Sequence, residues 1–318
     1  MKDSCSKIHR RFTIPFGVFI FMICITGCVN AQNQRRGGAA PDKSYDSVLT
    51  ELKQTVIPKF KQFTFQDTAT GKEMEYSLYI PQEYKEGHSF PLVMFIADAS
   101  CAGKGVMYPL EQGYGALVWA TEGDQQKHPC FILVPSYTAK AVDDEWNTTD
   151  EVEMTIRLLK SVVLKYGIDK NKLYTTGQSM GGMMSMYYNI AHPDLFAASL
   201  FVGCQWDTSK MGSFGTKKFF YIIAGGDEKA PKGMAALREI LKENNARVDS
   251  ASWNAKLPVD VQNDSVNALL DKGSNINFIV FTKGSVMPEN GKGNEHMNSF
   301  DYAYKLSAVR DWLFKQSK

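Results

Sequence analysis

Residues 172–182 of this 318-residue chain read Lys-Leu-Tyr-Thr-Thr-Gly-Gln-Ser-Met-Gly-Gly, and the run MMSMYYNIA follows them. The first five residues are typical of a β-strand, and Met180–Ala191 is predicted as a helix. Glycines at 177 and 181 allow a sharp turn that lifts the Ser179 side chain above a sheet, with the helix N-terminus beneath it. A G-x-S-x-G pattern alone is weak, but a strand before it and a helix after it favour a nucleophile elbow over an ordinary turn.

The segments on both sides of this turn alternate between strand and helix signals. Eight β-rich runs are predicted as strands: Phe63–Phe65, Glu73–Ile80, Leu92–Ala97, Phe131–Pro135, Lys172–Thr176, Ala198–Val202, Phe219–Ala224 and Asn277–Phe281. Further helices are predicted over Thr149–Lys165, Gly233–Glu243 and Met297–Phe314. Most later strands are continuously apolar, as in parallel sheets covered on both faces, whereas the second alternates like an antiparallel edge. The pattern predicts one doubly wound, mostly parallel sheet of about eight strands over residues 45–318, with an insertion or cap at 244–275.

A serine nucleophile needs a general base and a group that orients the base. Of the five histidines, only His296 follows the last predicted strand at the edge where Ser179 emerges. Asp227 closes the strand before it through two glycines, so the chain order is serine, aspartate, histidine, which is the α/β-hydrolase order. Asp207, which follows the preceding strand, is an alternative acid, and so are two residues of the insertion, Asp260 and Asp264.

Three segments carry a resemblance to a known family. They are LYTTGQSMGG with AHPDLFAAS inside Asn171–Gly203, GGDEKAP at 225–231, and EHMNSF at 295–300. The chain over Phe63–Phe314 resembles the exported serine esterases grouped with polyhydroxybutyrate depolymerases, feruloyl esterases, acetylxylan esterases and the so-called predicted peptidases. The resemblance implies an α/β-hydrolase fold and hydrolysis of a small-molecule or polysaccharide-linked carboxylic ester through an acyl-enzyme. A small-peptide hydrolase of the same fold is the alternative.

The resemblance also implies a role for each residue of the site. It makes Ser179 the nucleophile, Asp227 the acid and His296 the base. The N–H of Met180 is expected to donate one hydrogen bond to the oxyanion, and the loop at Asp98 is expected to supply the other. Gln178 and Trp206 are expected to bind substrate.

One position departs from the family pattern. The family usually carries His-Gly after the third strand, whereas this chain reads Ala97-Asp98-Ala99-Ser100. An aspartate carboxylate that faced a developing oxyanion would oppose catalysis. A non-catalytic carbohydrate-binding protein with an impaired oxyanion hole is therefore a further hypothesis.

The N-terminus has the features of an export signal. A basic segment precedes the apolar stretch Phe12–Gly27, which is shorter than the roughly 20 residues that span a bilayer. Ile-Thr-Gly-Cys at 25–28 resembles a bacterial lipobox, so residues 1–27 are expected to be the signal, Cys28 the lipidated residue and 28–44 a flexible tether. Ordinary cleavage after Val29-Asn30-Ala31 is the alternative, with a periplasmic or secreted product.

Charge and cysteine content exclude several other classes. Lys+Arg number 36 against Asp+Glu 34, so no basic surface for nucleic acid is implied, and the N-terminal lipid is the only membrane contact expected. No CxxC, HExxH or paired-histidine spacing occurs, so neither a metal nor a cofactor is expected. Three cysteines follow the lipobox, Cys101, Cys130 and Cys204, and the first and last are a conceivable disulfide, with free buried thiols as the alternative.

Overall fold

A nine-stranded sheet forms the centre of the computed structural model, which describes residues 42–289 and 291–318. Its strands in chain order are β1 (Lys61–Asp67), β2 (Lys72–Tyr79), β3 (Leu92–Ile96), β4 (Phe131–Pro135), β5 (Leu173–Gln178), β6 (Ala198–Val202), β7 (Phe219–Ala224), β8 (Val248–Trp253) and β9 (Ile276–Phe281). They lie in the order β1-β2-β4-β3-β5-β6-β7-β9-β8, and the first two pairings are antiparallel while all others are parallel. The predicted doubly wound, mostly parallel sheet is confirmed.

Helices cover both faces of this sheet. They are α1 (Ser47–Val56), α2 (Tyr108–Glu111), α3 (Tyr114–Leu117), α4 (Glu122–Lys127), α5 (Asp150–Tyr166), α6 (Met180–Ala191), α7 (Ala230–Glu243), α8 (Val259–Leu270), α9 (Glu295–Lys305) and α10 (Ser307–Phe314). The apolar sides of α5, α6 and α7 bury one face of the central strands, and those of α1, α8, α9 and α10 bury the other. Two hydrophobic layers result, which explains why β3, β4, β6 and β7 are apolar at nearly every position.

Residues 244–275, predicted as an insertion or cap, form one edge of the sheet. They contribute β8 and α8, so the segment extends the sheet by an edge strand and gives nine strands in place of about eight. Three of the six residues in the strand sequence Val-Asp-Ser-Ala-Ser-Trp are polar, and most of the strand is only partly buried, because an edge strand packs against a single neighbour. The last predicted helix is also divided, since α9 ends at Lys305 and α10 begins at Ser307.

The folded part begins before the predicted boundary at Tyr45. Lys43 forms an ion pair with Asp301 on α9 at 2.7 Å and donates a hydrogen bond to the Gln112 carbonyl at 2.9 Å. The end of the predicted tether is therefore packed against the domain. The predicted signal peptide, the cysteine predicted to carry a lipid and the rest of the predicted tether up to residue 41 lie outside the described residues. Within the described part of the chain, no helix has the length and apolar character needed to cross a membrane.

The connections of the sheet locate its crevice. The chain crosses from β3 to β4 on one side and returns to β5 on the other side of β3. In doubly wound sheets, ligands bind at such a reversal, outside the carboxyl ends of the strands. The β3 and β5 ends therefore frame the expected site, and Ser179 directly follows β5.

Candidate active site

The turn between β5 and α6 holds Ser179 in a strained conformation. Its φ of 51° and ψ of −117° lie where residues with a side chain are rare. Such strain persists only where the surroundings enforce it, and it is concentrated at functional sites. The backbone N–H of Ser179 donates to the Val202 carbonyl at 3.0 Å, which ties the turn to the neighbouring strand β6.

Three glycines make this turn possible by the space that they leave. A Cβ on Gly177 would lie 2.3 Å from the Gly181 backbone, and one on Gly181 would lie 2.0 Å from the Ile96 carbonyl oxygen. A Cβ on Gly182 would lie 2.5 Å from the sulfur of Cys204. The G-x-S-x-G-G pattern is thus required by close packing of α6 on the ends of β3 and β6.

The three residues predicted as nucleophile, base and acid meet at the carboxyl edge of the sheet. His296 Nε2 lies 2.9 Å from Ser179 Oγ, and His296 Nδ1 lies 2.6 Å from Asp227 Oδ2. The other oxygen of Asp227 accepts hydrogen bonds from the backbone N–H groups of Lys229 at 2.8 Å and Ala230 at 3.0 Å. Serine, imidazole and carboxylate therefore form one hydrogen-bonded chain, anchored at its far end by the turn into α7.

The environment of Asp227 keeps its carboxylate ionised. Burial opposes ionisation, but the hydrogen bond and charge of His296, with the amides of Ala230 and Lys229, hold the pKa of Asp227 below its usual value. The carboxylate is therefore charged at neutral pH and accepts the Nδ1 proton of the imidazole. That leaves Nε2 with a free electron pair, which is the tautomer that takes a proton from a serine.

Asp98 lies at the end of β3, but its carboxylate is turned into the protein. The side chain accepts hydrogen bonds from the Ser100 N–H at 2.7 Å and from the amides of Gln178, at 3.3 Å, and Gln112. The residue is 2% exposed. Three N–H donors surround its charge, so only the backbone of this loop is left to serve an oxyanion.

Gln178 and Trp206, which were expected to bind substrate, are both buried. Gln178 is 2% exposed, and its amide bonds to Asp98 and to the Gln112 side chain at 2.7 Å. Trp206 is 3% exposed and stacks beneath the half-buried ring of Trp146, with ring centroids 3.9 Å apart. Gln178 supports the β3 loop, and Trp206 supports Trp146, which is the more exposed ring.

The alternative acids lie on other elements of the fold. Asp207 is exposed and accepts hydrogen bonds from the backbone N–H of Ser209 at 2.9 Å and from its hydroxyl at 2.8 Å, which makes it the cap of a short turn. Asp260 and Asp264 lie on α8, which packs against α10 and β8. Asp227 is therefore the aspartate that the fold places beside His296.

The state of the cysteines differs from one of the expectations. Cys101, Cys130 and Cys204 are all buried and free, so the conceivable 101–204 disulfide is wrong. Among residues 42–289 and 291–318, no group of three or more His, Cys, Asp or Glu side chains could hold a metal ion.

Two side chains at this edge were missed in the sequence. Gln112 joins the Asp98 cluster from the loop before α3, and Glu295 bonds to two neighbouring loops. Both act through contacts with residues far away in the chain, so no local motif marks them.

Comparison with known proteins agrees with this geometry. Residues 68–218 match the profile of a family described as "Putative esterase". Feruloyl esterase B of Talaromyces stipitatus is 27% identical over 129 residues, which cover 38% of this chain and 33% of that protein. A thermostable esterase of known crystal structure has a TM-score of 0.66 at 26% identity, with 83% of this chain and 64% of that chain covered. The match thus spans a third of the first relative and just under two thirds of the second.

A more distant structure shows the fold alone. A ferulic acid esterase from the anaerobic fungus Anaeromyces mucronatus has a TM-score of 0.50 at 14% identity, covering 79% of this chain and 91% of its own. The strand order, the strained serine and the esterase relatives all lead to one class. This chain has the α/β-hydrolase fold and is similar to esterases of that fold.

Proposed function

We propose that this protein hydrolyses a carboxylic ester through an acyl-enzyme formed on Ser179. The observation that carries the proposal is the hydrogen-bonded chain from Ser179 Oγ through both ring nitrogens of His296 to Asp227, with distances of 2.9 and 2.6 Å. An elbow serine with this relay is the machinery of acyl transfer. A binding protein would gain nothing from holding a serine in a strained conformation beside a base.

The reaction proceeds in two halves. Ser179 Oγ attacks the ester carbonyl carbon while its proton passes to His296 Nε2, and a tetrahedral intermediate forms. The imidazolium then gives that proton to the departing alkoxide, the ester C–O bond breaks and the alcohol leaves. A water molecule repeats the attack on the acyl-enzyme, with His296 as base, and releases the carboxylic acid and the free serine.

The oxyanion of both intermediates is bound by backbone N–H groups in this proposal. Met180 is the first residue of α6, where the helix itself provides no acceptor for the N–H. Because Gly181 allows that helix end to pack against Ile96, the Asp98–Ala99 backbone follows directly beside it. We assign the second hydrogen-bond donor to a backbone N–H of this segment. Each such donor is worth about 10²–10³ in rate.

The substrate in this proposal is a small-molecule or polysaccharide-linked ester outside the cytoplasm. The feruloyl esterase relative supports a feruloyl ester as a candidate substrate. The N-terminal sequence supports export and a lipid anchor at Cys28. A Cys28→Ala variant that stays in the membrane fraction as fully as the wild type would contradict the anchor.

A fluorophosphonate probe, which forms a covalent bond to activated serines, tests the catalytic proposal. The full-length wild type should be labelled at Ser179, and Ser179→Ala should lose both the label and at least about 10⁴-fold of ester turnover. A panel of acetyl, feruloyl, longer-chain and peptide substrates then identifies the acyl group. Labelling without turnover of any ester, together with peptide cleavage, would replace the esterase by a peptidase of the same fold.

A further inference from the structure

Glu295, the residue before the catalytic histidine, binds two loops at once. One carboxylate oxygen accepts a hydrogen bond from the Gly226 N–H at 2.9 Å, and the other accepts one from the Gly284 N–H at 2.8 Å. Gly226 belongs to the loop after β7, and Gly284 belongs to the loop after β9. Glu295 is itself the first residue of α9. A single side chain therefore joins the helix that carries the base to the loops that follow two adjacent strands.

These contacts lie one residue away from the catalytic pair on both segments. Gly226 precedes Asp227, and Glu295 precedes His296. The Gly226–Glu295 bond therefore runs beside the Asp227–His296 bond, and the two join the same two segments. Two parallel links fix both the separation and the register of the segments, which a single hydrogen bond between two side chains does not achieve.

Gly226 leaves the space that this carboxylate needs. A Cβ on Gly226 would lie 1.9 Å from a carboxylate oxygen of Glu295. Glycine at this position, in a turn that then presents the acid, is explained by the close approach of the side chain and not by a positive φ. Any larger residue at position 226 would displace the Glu295 carboxylate from this contact.

The ring of the catalytic histidine is partly open to solvent. Its side chain is 33% exposed, and the ring of Phe300 is the aromatic group packed on it, at 5.2 Å with a T-shaped geometry. A half-exposed imidazole can change its distance to the acid unless its backbone is held. A misplacement of about 1 Å at a catalytic group can cost about a hundredfold in rate.

We propose that Glu295 is a positioning residue, whose bonds to the Gly226 and Gly284 amides set the distance and register between Asp227 and His296. The inference rests on the proposed serine hydrolase function and deepens it. Glu295 touches no reacting atom in this role. Its carboxylate acts through the backbone that carries the acid and the base.

Glu295→Gln is the first test, because the new side chain has nearly the same shape. Its amide oxygen still accepts one N–H, but its NH₂ group faces the other donor, so one of the two links is lost. We expect kcat on an activated ester to fall about tenfold or more while KM stays within about twofold, as for a loss confined to the transition state. The second-order rate of fluorophosphonate labelling at Ser179 should fall by a similar factor.

Glu228→Gln is the matched control, since it removes the same charge from the exposed neighbour of Asp227. It should keep both rates within about twofold of wild type. Gly226→Ala is the second variant, because its methyl group displaces the Glu295 carboxylate while the charge remains. It should reproduce the fall in kcat at constant KM.

The outcomes separate this inference from the proposed function. Wild-type levels of kcat and labelling in folded Glu295→Gln, or an equal fall in Glu228→Gln, would overturn the positioning role and leave the function intact. Unfolding of both Glu295→Gln and Gly226→Ala would assign Glu295 to stability alone and would also overturn it. A wild-type protein that is neither labelled nor active on any ester would overturn the proposed function, and this inference with it.

Discussion

The two loops that face each other across the crevice are built by different means. After β5, the backbone itself fixes the conformation, through three glycines within six residues and a strained Ser179. After β3, side chains fix it, because the Asp98 carboxylate collects N–H groups from Ser100, Gln112 and Gln178. The first loop is a local device, and the second depends on residues up to 80 positions away.

This difference governs how each loop tolerates change. A turn enforced by close backbone contacts has no room for an extra atom, so any added side chain must displace the backbone. A loop held by hydrogen bonds can lose one of them and remain nearly in place. Substitutions that disturb a backbone-enforced turn should therefore cost far more activity than substitutions in the hydrogen-bonded loop after β3.

Apart from loss of the nucleophile itself, Asp227→Asn should have the largest effect. The acid is held by backbone amides, like the elbow, and the asparagine amide would present the wrong hydrogen-bonding group to His296 Nδ1. We expect turnover to fall at least about a hundredfold and toward about 10⁴-fold, as expected for the wrong imidazole tautomer. The measurement is kcat on one activated ester, with circular dichroism to show that the variant is folded.

Gly181→Ala should come next, because the new Cβ would lie 2.0 Å from the Ile96 carbonyl oxygen. Backbone must move to make room, so we expect the free energy of unfolding to fall by about 1–3 kcal/mol or more. Displacement of the Met180 N–H should lower turnover by about a hundredfold. Gly123→Ala on α4 is the matched control, since no atom lies within 4 Å of its Cβ position. It should leave turnover unchanged and either leave the free energy of unfolding unchanged or raise it by up to about 1 kcal/mol, because alanine is the better helix former. Equal behaviour of the two variants would refute the packing argument.

Asp98→Asn tests the loop that side chains hold. Asparagine offers one acceptor oxygen, and its NH₂ group would face donors that now point at a carboxylate. We expect kcat to fall about tenfold, below the 10²–10³ that loss of a whole oxyanion donor costs, because the loop is weakened and not removed. A loss as large as that of Asp227→Asn would show that Asp98 takes part in the reaction directly.

Asp207→Asn should have the smallest effect. The side chain is exposed, and an asparagine oxygen still accepts the hydrogen bond from the Ser209 N–H. Turnover should stay within about twofold of wild type. If this variant lost as much activity as Asp227→Asn, the acid would have to be reassigned.

The same contrast explains what the sequence could predict. Gly177, Ser179 and Gly181 lie within five residues, so the elbow is visible in a short window. The apolar strands are equally local, which is why most of their bounds could be predicted within a few residues. Gln112 and Glu295 have no such local mark, because their partners become neighbours only through the fold. The edge strand β8 was missed because its polar residues face solvent and resemble a loop.

The three free cysteines of residues 42–318 that the structure describes allow the two loops to be compared without any substitution. Cys101 lies in the loop after β3, Cys204 packs at the Gly182 side of the elbow, and Cys130 precedes β4 at the opposite edge of the sheet. Burial raises the pKa of all three thiols, and the charges of Asp98 and Asp227 add to this for Cys101 and Cys204. Because an alkylating reagent needs an accessible thiolate, each cysteine reacts only when its surroundings open. The rates at which Cys101 and Cys204 are alkylated in the native protein would therefore give the free energy of local opening of the two loops. The rate for Cys130 would serve as the reference from the opposite edge of the sheet.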